Sequence, residues 1–145
     1  MIYYVLIYIQ AIALLCRYSD DKKTAVSIEN AHALGTVGIP TALAAALIKH
    51  ANEPRLLTMA CDAVRGLCIL PGNRDRLGTA GVCEPIARAL GVKRFVDMPD
   101  VVCWICRALG HLANGNDGNR LRIGSTGACE TAIGAIQVRV YDVNV

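Results

Sequence analysis

Cys103-Trp-Ile-Cys106 sets two thiols at the spacing of a redox pair and of half a zinc site. A tetrahedral zinc site needs four ligands, two such pairs or one pair with a His-x3–5-His, and His32, His50 and His111 are scattered along the chain. A thioredoxin-like pair follows a strand in a βαβ unit, which this sequence does not offer. Gly-x-x-Gly, the phosphate clamp of KH domains, occurs at Gly35/Gly38, Gly78/Gly81 and Gly124/Gly127. The β-branched strands that a KH fold places between such loops are missing, so these read as turn glycines. No G-x-x-x-x-G-K-(S/T), H-E-x-x-H or nucleophile-elbow motif is present. Glu84 and Glu130 stand at matching places just after the glycine turns and read as second-helix caps rather than general acids. No enzymatic activity, catalytic residue, cofactor or metal ligand is expected.

The elements that must carry these residues follow from composition and periodicity. Of 145 residues, 54% are hydrophobic but only 5% aromatic, 19% are charged and 13 are glycine. That hydrophobicity excludes a disordered tail, and 5 prolines exclude a collagen-like or Pro-rich chain. With one Phe and one Trp, the interior must be built from many small aliphatic contacts, which points to closely packed helices. The net charge of +3, with both signs interspersed, requires neither nucleic acid nor an anionic surface, and no nucleic-acid partner is expected. Seven cysteines, an odd number without a recognisable secretory signal, read as reduced thiols and a cytoplasmic or nuclear location.

Three segments align without gaps: Asn30-AHALGTVGIPTALAAAL, Asn73-RDRLGTAGVCEPIARAL and Asn119-RLRIGSTGACETAIGAI. Each has Asn, an aliphatic four residues on (Leu34, Leu77, Ile123), the glycine pair, and a second aliphatic nine residues beyond it (Leu47, Leu90, Ile136). The period is 43 and then 46 residues. Between them, MACDAVRGLCIL and VVCWICRALGHL match 42 residues apart, pairing Cys61 with Cys103, Arg65 with Arg107 and Leu67 with Leu109. Each unit therefore predicts a short helix, a glycine turn, a second helix, a polar break and a longer third helix. Pro54 and Pro99 suit the first turn of those third helices.

A three-helix unit of this length, opening N-x-x-x-(L/I)-x-x-x-G, resembles the armadillo repeat. The resemblance implies an all-α, armadillo-like right-handed superhelical solenoid, an incomplete array divided into an end helix (1–20), repeats at 22–72 and 73–118, and a partial repeat at 119–145. It implies a short first helix, a glycine that permits a sharp bend into the second, and a third helix lining a concave groove. The first glycine of each pair departs from the family pattern. In family members of the importin-α type, a Trp and an Asn four residues later line the groove. Alignment puts Arg107 and His111 there, with Arg65 and Ile69 in the preceding unit, which argues against a nuclear-localisation-signal receptor.

Arg65 and Arg107 are instead expected to form a basic ladder for an extended, acidic protein or peptide, as in β-catenin-like proteins. Trp104, His111, Asp62 and Gln10 stand beside them, Gln10 because IQAIALLC aligns with CRALGHLA. A guanidinium fork grips a carboxylate or carbonyl at each unit. Arg74/Arg76 and Arg120/Arg122 recur on the first helices and read as a solvated ridge. The expected function is thus a non-catalytic protein-interaction scaffold.

Two alternatives accompany it. Residues 1–16, interrupted only by Gln10, read either as a third helix packed in the array or as a membrane tether flanked by Arg17, Lys22 and Lys23. A thiol-redox role for Cys103 and Cys106 is the third. Both ends lack polar capping, which suggests part of a longer array or ends that pair with something. QVRVYDVNV reads as a poor continuation of the last helix.

Overall fold

The computed structural model describes residues 1–16 and 25–142, with the side chains of 25 and 138–142 left aside. The secondary structure among them is helical, in the order α1 (Ile2–Leu15), α2 (Ala25–Thr36), α3 (Ile39–Lys49), α4 (Pro54–Leu67), α5 (Pro71–Thr79), α6 (Cys83–Ala89), α7 (Lys93–Val96), α8 (Pro99–Ala113), α9 (Asp117–Gly124) and α10 (Ala128–Asp142). Their boundaries have local causes. Pro54, Pro71 and Pro99 open α4, α5 and α8, where a missing N–H removes no intrahelical bond. Gly38, Gly81 and Gly127 sit between α2 and α3, α5 and α6, and α9 and α10 with φ of 86°, 85° and 78°. That left-handed backbone ends one helix, and α3 leaves α2 at 72°.

The three long helices expected from the aligned segments lie side by side, α4 in the middle against both α1 and α8. Leu56, Leu57, Ala60, Cys61, Val64 and Leu67 are buried, so α4 is enclosed on several sides. Gly66 lets it approach α1 closely: a Cβ there would lie 2.6 Å from that of Cys16. α1 is apolar all round but buries only Ile9, Ile12 and Ala13, leaving Tyr3, Tyr4, Ile7 and Tyr8 exposed.

The recurring asparagines turn out to be the joints between units. Asn73 Nδ2 donates to the carbonyl of Ala31 at 2.7 Å and of Leu67 at 3.0 Å. Asn119 Nδ2 does the same to Arg74 and Leu112, both at 2.9 Å. Asn30 Nδ2 donates to Leu15 at 3.0 Å. Each amide thus ties a first helix to the end of the long helix before it, and Asn73 and Asn119 also to the preceding first helix. The first glycine of the first two pairs is where that amide rests: a Cβ on Gly35 would collide with the Asn73 side chain, and one on Gly78 with that of Asn119. The glycine that departs from the armadillo pattern therefore has a packing reason.

The structure shifts several expected limits. The boundaries at 72/73 and 118/119 fall inside α5 and α9 rather than between helices, and residues 17–24 and 143–145 lie outside the described residues. α10 runs unbroken to Asp142, so QVRVY continues the helix. The polar break VKRFVDMPD holds the short helix α7, whose Phe95 is fully buried. A single aromatic ring, flanked by charges in sequence, thereby pins the connection to the core.

Candidate peptide-binding groove

Arg65 and Asp62 on α4 meet Trp104 and Arg107 on α8. The guanidinium of Arg65 lies 5.7 Å from the centre of the Trp104 ring and that of Arg107 5.8 Å from it, so one indole carries two cations. The two arginines are not equivalent. Arg65 donates from Nε (3.3 Å) and Nη2 (3.1 Å) to Asp62 Oδ1, and both side chains are largely withdrawn from water, at 15% and 11% exposure. This i,i+3 pair neutralises most of the charge that Arg65 brings to the groove. Arg107 is exposed and, among the described residues, has no carboxylate within ion-pair distance.

Arg107 also lines an open cleft of about 450 Å³ with Gly110, His111, Ala113, Asn114 and Arg120. Arg120, on α9, joins it while held by Asp117 at 2.6 Å. The sequence reading placed Arg120 on the outer ridge; its contribution to the cleft follows from how α9 turns back beside the end of α8, which no local pattern records. Gln10 is exposed on α1, and no hydrogen bond among the described residues ties it to the arginines. The structure therefore links Asp62, Arg65, Trp104, Arg107 and His111 through shared contacts and a shared cleft, contacts in which exposed Gln10 takes no part.

Of the recurring basic pairs, Arg76, Arg120 and Arg122 are exposed as expected, and Arg74 departs from the solvated role. Arg74 donates to the carbonyls of Cys68 (2.9 Å) and Asn114 (2.8 Å), bridging two units from a half-buried position. Arg76 donates to Asn73 Oδ1 and Arg122 lies 3.8 Å from Glu84 Oε1. Glu84 sits in the first turn of α6, yet no side chain caps that helix, so its carboxylate serves the helix dipole and Arg122 rather than a cap bond.

Cys61 and Cys83 are fully buried, whereas their sequence equivalents Cys103 and Cys129 are exposed. Cys106 is exposed at the surface, and the partial burial of its thiol pushes it up, with Cys103 adding to the effect, which opposes thiolate formation. No group of three or more His, Cys, Asp or Glu side chains among the described residues is placed to hold a metal. No single helix among them is long and apolar enough to cross a membrane; α2 and α3 reach that length only as a pair bent by 72°. The chain matches no protein-family model and no curated protein sequence, which leaves the chemistry of the groove as the ground for assigning a function.

Proposed function

We propose that this chain is a non-catalytic, armadillo-like solenoid that holds an extended, acidic peptide along the surface shared by α4 and α8. The observation that carries the reading is the Arg65–Trp104–Arg107 cluster, one indole with two guanidinium groups within 6 Å of its centre and an open cleft continuing from Arg107 to His111 and Arg120. In this reading Arg107 is the charged anchor, pre-oriented by the ring and without a carboxylate at ion-pair distance among the described residues. Arg65 is held by Asp62 and keeps its guanidinium against the Trp104 ring, so it fixes the ring rather than serving as a second anchor. A partner with a carboxylate every few residues gains charge-assisted bonds without the protein rearranging.

Trp104 is the only tryptophan, so its fluorescence reports this groove directly. Titration with an acetylated, amidated glutamate-rich peptide is expected to change the emission saturably, and to do so less as salt rises. Arg107→Glu removes a charge-assisted bond worth about 1.5–3 kcal/mol, roughly 10- to 100-fold in Kd. An emission unchanged by the acidic peptide, or equal affinity for the variant, refutes the assignment. A membrane-tethered adaptor is the second reading, favoured by the exposed tyrosines of α1; it requires the chain to float with lipid vesicles.

A further inference from the structure

The three long helices carry one apolar stripe that differs in what covers it. On α4 it is Leu57, Ala60, Cys61, Val64 and Cys68, none more than 1% exposed, with α8 alongside. On α1 the aligned residues Ile2, Val5, Leu6, Ile9 and Ala13 are buried or half-buried, with α4 alongside. On α8 the same places hold Pro99, Val102, Cys103, Cys106 and Gly110, and all but Val102 are exposed. The opposite stripe shows the reverse. Val101, Ile105, Ala108 and Leu112 of α8 are buried, while their α1 counterparts Tyr4, Tyr8, Ala11 and Leu15 are bare, Tyr4 and Tyr8 at 69%.

The polar joint is split in the same way. Asn73 and Asn119 each reach two carbonyls, but among the described residues Asn30 reaches only that of Leu15. Its missing acceptor, the first-helix carbonyl supplied elsewhere by Ala31 and Arg74, corresponds to Arg120. The glycine seat beside Arg120 is Gly124, where a Cβ would meet nothing within 4 Å.

We infer that these are the two sides of one heterologous, head-to-tail interface between copies of this chain. The α1 helix of one copy lies along α8 of the next, over the apolar groove of about 750 Å³ that α8 forms with α10. It gives α9 and α10 the long helix that α5 and α6 have in α8, and covers the exposed Ile133 and Ile136. Its Asn30 amide enters the Gly124 seat and donates to the Arg120 carbonyl. The junction reproduces the packing of α4 on α8, and the complementarity of the two faces is the reason a second copy fits better than an unrelated helix. A heterologous contact that does not close builds an open chain of subunits. This inference is independent of what the Arg107 groove holds.

Sedimentation velocity on the 145-residue chain under reducing conditions tests it. The expected result is a sedimentation coefficient that rises with concentration up to about 100 μM, a range that populates an interface of ordinary size. Tyr8→Glu and Cys106→Glu each spoil one face at a position exposed in the single chain, so each alone is expected to stay monomeric. Mixed in equal amounts, each still offers one intact face, and they are expected to form a one-to-one dimer and nothing larger. Gly124→Val is expected to weaken association at least tenfold with the monomer's melting curve unchanged. It serves, together with Tyr4→Glu, should either charged variant fail to fold. A wild-type chain monomeric throughout, a charged variant that still assembles, or a mixture that gives no dimer overturns the inference. Flotation with phosphatidylcholine vesicles by a chain that stays monomeric overturns it in favour of a lipid surface.

Discussion

Adding one methyl group at Gly78 should damage this protein, while the same change at Gly124 should not. The Cβ of Gly78→Ala would occupy the space of the Asn119 carboxamide, which is 2% exposed and donates to two carbonyls at 2.9 Å. If the amide moves, two hydrogen bonds of about 0.5–1.5 kcal/mol each are lost. If α5 and α9 separate instead, overpacking costs about 1–3 kcal/mol. Against either stands up to about 1 kcal/mol gained by alanine over glycine in a helix. The net is a loss of roughly 1–2 kcal/mol, and Gly35→Ala should match it through Asn73. Gly124→Ala meets no atom and keeps only the propensity gain, so it should be neutral or slightly stabilising. Urea unfolding followed by circular dichroism, at low micromolar protein where copies do not associate, measures all three. Gly78→Ala as stable as the parent, or Gly124→Ala losing as much as Gly78→Ala, would refute the asparagine-seat account.

The thiols offer two further checks. Cys103, Cys106 and Cys129 are exposed and Cys16, Cys61, Cys68 and Cys83 buried, so Ellman's reagent should label three thiols quickly in the native chain and seven in urea; a fast count of four or more contradicts the packing. Association through α8 should slow Cys103 and Cys106 as concentration rises. Burial pushes the Cys68 thiol up to about 12, and Cys61 higher still. Unfolded thiols release protons from about 9 upward while these two keep theirs, so unfolding releases protons and stability falls as pH rises beyond that point. Each contributes up to about 1.4 kcal/mol per pH unit. Denaturation midpoints that stay level between pH 8 and pH 10, under reductant, would show these thiols are not buried as described.

Sequence spacing was enough to locate the main helices and the glycine turns, though not α7 or the far end of α10, because proline, glycine and the aliphatic period act over a few residues. It did not reveal why the first glycine recurs. The side chain that fills its place belongs to an asparagine nearly a whole unit away, and a distance of that kind has no local signature. Cys61 and Cys103 occupy equivalent repeat positions and opposite environments, since burial is decided by the next helix and not by their own. Arg74 reads as a surface cation until its two carbonyl partners are seen, whereas the Asp62–Arg65 pairing was available from its i,i+3 spacing. Phe95 was hidden by the charges around it, although a lone phenylalanine in an aromatic-poor chain is a signal for a core anchor.

The asparagine joint also sets the step in which this protein can change length. The Asn73 and Asn119 joints use the same donor on a first helix and a glycine at the same place beside it, so these two are interchangeable. Excising residues 31–73 would splice Asn30 directly onto Arg74, leaving its amide in the place of Asn73 and the Gly78 seat still facing Asn119. A deletion or duplication out of phase with that period would set a side chain where the amide belongs and an amide where nothing receives it. Whole units are thus the currency of variation, and the joint acts as a proofreader of register.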